Sequence, residues 1–551
     1  MKRRKNLHLP KSDYESTSTA KWCYLPLLAL VILSSFIAIM RLHTYEEPVE
    51  RDIGNHAVIA HEILQGRKLY SDLWDSKPPA IFVTYAVADA IVGYGPGSVY
   101  LVGVVAAIIT LLGVYWAGSA HGGVPGGLWA AAFWTFICSD LWLWANQPNT
   151  EVGMNTCLVW AFALIVRANT KKLQIWRWLV IGGLFAIATL YKPVAITFAA
   201  FLSCFYLLAN IRHSSDRKTA FFQICLIAAA GAAVWGVVFA YFAATNRFTV
   251  FYDTIFKYGR WYAKSRGSNI FENICEGFSY EKLFCRYMKS TPVLVIFTAA
   301  GIILGLWKGC RRYWLLLLGF ALAAPFAVAL PGRFYGHYYQ LWLGPLVVGA
   351  GWALTTLGPK GKLGPVRDPT AKVSNGAGVT LARSIVGAVG LIILLLFVLP
   401  QYKFSADEWS AKKQGPQYIF SKQVAFEVNK LLEPDEAFYV LGITPEMYFW
   451  SKRRPPTGVI WSTDMVDNPL AKEHTARALE DLEREKPEIF VINMLYAQVP
   501  RNHPVVVWAE KQYIPLPGNP NRGPLRYGNQ QRFLFRIFIL RDGKLASRLG
   551  L

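Results

Sequence analysis

The stretch ERDIGNHAVIAHEILQGRKLYSDLWDSKPPAIF, residues 50–82, gathers Asp52, His56, His61, Asp72, Asp75 and Lys77 just after a strongly apolar segment. An aspartate in such a setting can act as general base towards a hydroxyl, and a lysine can hold a phosphate or carboxylate. Three other clusters carry a similar mixture. NQPNTE supplies Asn149 and Glu151, LYKP supplies Lys192, and GRFYGHYYQ supplies Arg333, His337, Tyr338, Tyr339 and Gln340. A guanidinium such as Arg333 can grip a phosphate through two parallel hydrogen bonds. Lys192, with proline behind it at the end of an apolar run, fits an anion held near a membrane boundary. Asp72, Asp75, Asn149, His337, Tyr338, Tyr339 and Gln340 are the remaining candidates for holding a substrate.

Each group also has a plain structural explanation. Asp52 opens a segment with the spacing of an amphipathic helix (Ile53, Val58, Ile59, Ile63, Leu64), where a carboxylate is a good cap. Asp75 and Lys77 can form a solvated pair, while the two prolines after them end one helix and start the next. Lys192 can snorkel from a helix end. His337 has aromatic neighbours and no partner at i+4, which fits an aromatic wall better than a metal site. The tyrosines can stack on a sugar ring or form an interfacial belt.

The elements that must carry these groups are apolar. The chain has 551 residues, 54% hydrophobic and 15% aromatic. Apolar runs of about 17–25 residues recur along it, the mark of a polytopic membrane protein. The first run follows MKRRKNLHLPK and lacks a small-residue cleavage site, which predicts an uncleaved helix with a cytoplasmic start. The net charge is +22, from 57 Lys+Arg against 35 Asp+Glu. These charges fall largely at the ends of apolar runs, as inside-facing loops require, and an anionic lipid substrate accounts for some of the rest. No zinc, helix-turn-helix or RNA-binding motif is visible, so nucleic acid is not an expected partner. The cysteines show no metal spacing; Cys275 and Cys285 share a polar loop and are a disulfide candidate.

Charge assigns the sides. A basic segment, 1–22, starts inside, and the apolar region 23–400 sends loops 43–78 and 246–290 outside. All four polar clusters then fall on one outer face. Between Pro78 and Gln147 lie three apolar segments, 79–93, 98–118 and 126–145, where the flanking sides demand an even number of crossings. One of them, the short 79–93 for example, must be partial or continuous with its neighbour. The expectation is a mostly α protein with about eleven transmembrane helices and the C-terminus outside. From 401 to 551 the composition changes to that of a small external α/β domain. AFYVLGI and EIFVINML read as buried strands, YIFSKQVAFEVNKLL and EHTARALEDLEREK as helices.

DIGNHAVIAHEILQGRKLYSDLWDSKPP resembles the first external loop of bacterial glycosyltransferases related to protein O-mannosyltransferases and the lipid A aminoarabinose transferase, of the GT-C superfamily. QPNTE, LYKP and GRFYGHYYQLWLGPL resemble later landmarks of the same group. The resemblance covers most of the chain and weakens after residue 401. It implies a GT-C type fold and a sugar transfer at the outer face of a bacterial inner membrane. The donor would be a polyprenyl-phosphate sugar and the acceptor a lipid, glycan or protein. It also implies Asp52 as the base or an essential acid, and Glu151 as a second acid. The sequence Asn-Thr-Glu in place of paired carboxylates departs from a metal-binding pair, so a divalent metal stays unassigned. In this scheme Lys192, Arg333 and Lys77 offset charge on the departing phosphate, and one displacement inverts the anomeric centre. The alternative is a transporter or flippase of lipid-linked sugars. It predicts charges deep within helices and inverted repeats, and neither is visible in the sequence.

Overall fold

The computed structural model describes residues 16–168, 174–211, 214–265, 267, 269–307, 311–356, 376–494, 499–517, 525–527, 530–532 and 535–551. The basic start MKRRKNLHLPK and the basic segment PKGKLGPVRDPTAK lie outside these residues. The helical part comprises α1 (Ser16–Leu42), α2 (Arg51–Leu64), α3 (Ala80–Val92), α4 (Pro96–Ile137), α5 (Thr150–Val166), α6 (Ile175–Tyr191), α7 (Ile196–Ala209) and α8 (Ser214–Ala244). The loop 246–290 contains α9 (Phe248–Tyr252), α10 (Gly259–Lys264) and α11 (Ile270–Gly277), with π-helical turns at Asp253–Tyr258 and Glu281–Tyr287. Then follow α12 (Pro292–Trp307), α13 (Arg311–Ala329), α14 (Leu343–Thr356) and α15 (Gly376–Val398).

Among the described residues, five helices are long and apolar enough to cross a bilayer: Tyr24–Leu42, Pro96–Ile137, Asp216–Ala244, Arg311–Ala329 and Thr380–Lys403. Shorter apolar helices pack among them. Large side chains such as Leu25, Ile39, Val237, Ile303 and Leu396 stay exposed on the bundle's outside. In water so much exposed apolar surface would drive association; against lipid it is matched to its solvent.

Helix α4 is 42 residues long, which would extend about 63 Å, twice a bilayer core. It is not one rod. Gly123 adopts φ 61°, ψ −169°, two residues before Pro125, and the chain reverses there. Trp134 Nε1 donates to the carbonyl of Ala107 at 3.0 Å although 27 residues separate them; in a straight helix they would stand about 40 Å apart. The segments 98–118 and 126–145 are therefore two antiparallel arms packed on each other.

Helix α3 behaves differently. It packs along α2, and its last turn returns to the same helix: His61 Nδ1 lies 2.8 Å from Asp89 Oδ2, and its ring stacks on Tyr94 at 4.2 Å. Both ends of α3 thus lie beside α2. At the far end of the bundle, Arg167 donates to the Trp116 carbonyl and Ser119 Oγ, and Arg312 to the carbonyl of Ala168. Basic groups gather there, opposite the acidic first loop.

The C-terminal residues form α16 (Ala406–Gln414), α17 (Gln417–Leu431), α18 (Glu446–Ser451), α19 (Ala471–Glu485), α20 (Pro504–Gln512) and α21 (Lys544–Arg548) around strands β1 (Phe438–Leu441), β2 (Ile489–Asn493), β3 (Tyr513–Pro515) and β6 (Phe535–Leu540). Strands β4 (Leu525–Tyr527) and β5 (Gln530–Arg532) make a separate hairpin. The four-stranded order is β1-β2-β6-β3, with β1 parallel to β2 and the other pairs antiparallel. Side chains alternate across the sheet as a strand requires. Phe438 and Val440 enter one core with α17 and α18, while Tyr439 and Leu441 meet Ala478 and Leu482 of α19 on the other face. The first of these cores also contains Ile53 and Val58 of α2 and Phe82 and Tyr85 of α3. The α/β unit and the first loop therefore share one hydrophobic interior.

Candidate active site

Helix α2 begins at Arg51, and Glu50 occupies the cap position in extended backbone without a side-chain capping bond. Asp52 is therefore not the cap; it lies in the first turn with its carboxylate free for other partners. One oxygen accepts from Asn149 Nδ2 at 3.2 Å. Asn149 also caps α5, its Oδ1 accepting from the Thr150 N–H at 2.7 Å. One amide side chain thus starts α5 and fixes Asp52 on α2.

Lys77 stands between two carboxylates, its Nζ 3.8 Å from Asp52 Oδ1 and 3.6 Å from Asp75 Oδ1. Asp75 also accepts from the Lys77 N–H at 2.8 Å and from Asn55 Nδ2 at 2.5 Å. Asn55 sits one turn after Asp52 on α2, so Asp75 and Lys77 bridge two residues of the same helix face. Asp75 is buried, which corrects the solvated pair expected for Asp75 and Lys77. Burial alone would raise the Asp52 carboxyl, but Lys77, His337, His56 and Arg51 outweigh it and hold it below the usual carboxylate range. Burial would lower Lys77, but Asp52 and Asp75 hold its ammonium above the ordinary lysine value. Glu50 is pushed up to about 8 by burial and by the adjacent Asp52 charge.

Lys192 follows α6 in extended backbone and donates to Glu151 Oε1 at 2.7 Å. Its Nζ also lies 3.4 Å from the centre of the Tyr338 ring. Glu151 is fully buried behind Lys192, accepting from Thr150 Oγ1 at 3.0 Å, with His337 Nε2 4.0 Å away. His337 is buried among Tyr335, Tyr338 and Trp144. Arg333 lies over the Tyr262 ring and donates to Ser265 Oγ at 3.5 Å.

Asp52, Asp75, Lys77, Asn149, Lys192, Arg333, His337 and Tyr338 all line one cavity of about 1020 Å³. Four candidates do not line it: Glu151, buried behind Lys192, and three that are held elsewhere. Asp72 accepts from the Lys68 N–H at 2.9 Å and closes its own turn. Tyr339 donates to the Gly277 carbonyl at 2.7 Å, and Gln340 Nε2 to the Leu143 carbonyl at 3.1 Å. The disulfide is not formed: Cys275 and Cys285 are both free and exposed, one on α11 and the other on the π-helical turn after it. Among the described residues no three His, Cys, Asp or Glu side chains are grouped to hold a metal; Asp52 and Glu151 each face a lysine instead.

The sequence reading missed several wall residues. Tyr258, Tyr262, Trp461 and Asp464 line the same cavity. Trp461 and Asp464 come from the α/β unit, and Lys77 Nζ lies 5.4 Å from the centre of the Trp461 ring. Nothing local in WSTD marks it as facing residues 50–78; only the tertiary packing brings them together. On the bundle side the wall is apolar, with Val194, Ile196, Ile255, Phe256 and Leu330.

The arrangement of bundle and α/β unit has solved counterparts. ArnT from Cupriavidus metallidurans bound to undecaprenyl phosphate superposes with a TM-score of 0.58 at 14% identity, covering 96% of this chain and 99% of that one. Its apo state gives a TM-score of 0.58 at 13% identity, covering 95% and 98%. The archaeal oligosaccharyltransferase AglB from Archaeoglobus fulgidus, in complex with an inhibitory peptide and a dolichol-phosphate, gives 0.50 at 14% identity, covering 90% and 73%. The chain shares the fold of ArnT over nearly its whole length. Neither protein-family models nor curated protein sequences give a match. In this fold the cavity sits where α2, the start of α5, the end of α6 and the segment 330–338 between α13 and α14 meet the α/β unit.

Proposed function

We propose that the protein is a membrane glycosyltransferase that moves a sugar from a polyprenyl-phosphate donor to a lipid, glycan or protein acceptor at the outer face of a bacterial inner membrane. The observation that carries this reading is the double character of the cavity. One wall presents a carboxylate, Asp52, beside the cations Lys77, Lys192 and Arg333; the other is aliphatic and aromatic. Ile196, Phe256 and Leu330 of that wall are also exposed on the outside of the molecule. A prenyl chain can therefore run from the cations into lipid, and its affinity would rise by about 25 cal/mol for each Å² of apolar surface covered. The fold shared with ArnT bound to undecaprenyl phosphate supports the same reading.

In the reaction, the acceptor hydroxyl oxygen bonds to the anomeric carbon and its proton passes to Asp52. The bond from that carbon to the phosphate oxygen breaks, and its electron pair leaves on the phosphate. A single displacement of this kind inverts the anomeric centre. Asp52, held anionic by its cations, is a weak base. That suffices where the hydroxyl becomes acidic only as it bonds to an oxocarbenium-like carbon. Lys77, Lys192 and Arg333 offset the charge on the departing phosphate. Glu151 does not reach the cavity; in this mechanism it positions Lys192 and is not itself a catalytic group.

The membrane arrangement follows from the same reading. With α3 lying along α2 and α4 counted as two arms, eleven helices cross: α1, both arms of α4, α5 to α8 and α12 to α15. The N-terminus is cytoplasmic, and the cavity and α/β unit are periplasmic. The gathering of Arg167 and Arg312 at the far end supports this orientation. The test of function is incubation of the purified protein with a labelled polyprenyl-phosphate sugar and envelope acceptors. Transfer of label supports the reading. Intact donor carried across a vesicle membrane without transfer would favour a flippase.

A further inference from the structure

A second cavity, of about 410 Å³, adjoins the first. Five cations line it, Arg51, Lys282, Arg286, Arg333 and Lys413, against one carboxylate, Glu50. Glu50 offsets them weakly, because burial and the adjacent Asp52 charge both raise its carboxyl above the ordinary range. Lys413 is paired with Glu47, and Lys282 with Glu276 at 2.5 Å. Arg286 and Arg333 have no carboxylate partner among the described residues. Arg286 lies 5.1 Å from the centre of the Tyr287 ring.

The rest of the wall is aromatic and amide, with Trp144, Tyr287, Phe334, Tyr335 and Tyr418 as its large faces, and no aliphatic side chain takes part. A prenyl tail would have to desolvate those cations without pairing them. Flat rings beside fixed cations suit a sugar ring carrying negative charge. The two cavities share Glu50, Arg51, Arg333 and Tyr335, so a ligand in the second one reaches the residue next to Asp52.

Resting on the glycosyltransferase reading above, we propose that this second cavity binds the acceptor, and that the acceptor is an acidic saccharide. Its phosphate or carboxylate sits with Arg286, beside the Arg333 at the boundary of the two cavities, while a hydroxyl reaches Asp52. The bond changes are those of the transfer already described, and the second cavity adds recognition only.

The test uses the full-length protein in lipid nanodiscs and three probes: glucose 1-phosphate, tetragalacturonic acid and neutral maltotetraose. The proposal expects at least one acidic probe to bind, with maltotetraose at least tenfold weaker; the tighter of the two acids identifies phosphate or carboxylate as the recognised group. Arg286→Ala should weaken that binding at least tenfold, and Arg286→Lys should restore part of it. Binding of undecaprenyl phosphate should be unchanged in both variants. Acidic probes that bind no better than maltotetraose, or that ignore Arg286→Ala, would overturn the proposal. A wild-type protein that binds the acidic probe but not undecaprenyl phosphate would count against the donor assignment instead.

Discussion

Asn149 donates to Asp52 across 3.2 Å, joining the first turn of one helix to the cap of another 97 residues away. The carboxylate that faces the cavity is thereby tied to the start of a buried helix. The same carboxylate faces Lys77, so its position and its charge depend on different neighbours and can be perturbed separately.

Removing the charge without the position is the purpose of Lys77→Met. Lys77 is the largest of the influences that lower Asp52 against burial, so its loss should raise the Asp52 pKa. The acid limb of kcat/KM should move to higher pH, with a fall in kcat of about tenfold or more. A profile unchanged in position would show that Asp52 ionisation does not govern the rate.

Glu151 and Lys192 form a pair in which each carries the other's charge. Glu151→Gln alone leaves a partly buried lysine without its counter-charge, at a cost of about 3–5 kcal/mol. Combining it with Lys192→Met should cost less than the sum of the single changes, read from thermal unfolding in detergent. Affinity for undecaprenyl phosphate should stay low in the double variant, because the ammonium is gone.

The α/β unit should set the first loop. The Trp74 N–H donates to the Gly458 carbonyl at 2.9 Å, and Arg477 to the Tyr70 carbonyl at 3.2 Å. A Cβ at Gly458 would collide with the Asp72 carbonyl oxygen and the Arg477 guanidinium. Gly458→Ala should destabilise the protein by about 1–3 kcal/mol and lower kcat through displacement of Lys77. Equal stability and activity would show that the loop holds its shape unaided.

Glu446 on α18 is buried, and burial pushes its carboxyl from the ordinary 4.5 up to about 8. Between those values the unfolded chain has released a proton that the folded chain keeps, so stability falls as pH rises through that window. Glu446→Gln removes this dependence. Its Tm relative to wild type should rise between pH 5 and pH 8.5, by an amount worth roughly a few kcal/mol.

Much of this was legible from residue order alone. Apolar runs with basic ends gave the helical bundle and gathered the polar clusters, because lipid punishes charge strongly enough to write the pattern into sequence. The parity conflict between 79 and 147 was visible, but it named 79–93 only as one example of the segment to be set aside; the packing of α3 along α2 is what the structure adds. The tight reversal at Gly123–Pro125 was not read, although a glycine two residues before a proline is a turn signal. Tyr339 and Gln340 looked equivalent to their neighbours because their direction is decided by contacts 62 and 197 residues away, whereas Asp72 is turned aside by a local bond to the Lys68 N–H. For the same reason Trp461 and Asp464 carried no mark of the cavity they line.

The central claim is that Asp52 activates the acceptor in a sugar transfer. It is tested most directly by supplying purified wild-type protein and Asp52→Asn with a labelled polyprenyl-phosphate sugar and envelope acceptors, and following the label. The account predicts transfer by the wild type and a loss of about 100-fold or more in the variant, with thermal stability little changed. Full transfer by Asp52→Asn, or label that never leaves the lipid in the wild type, would contradict it.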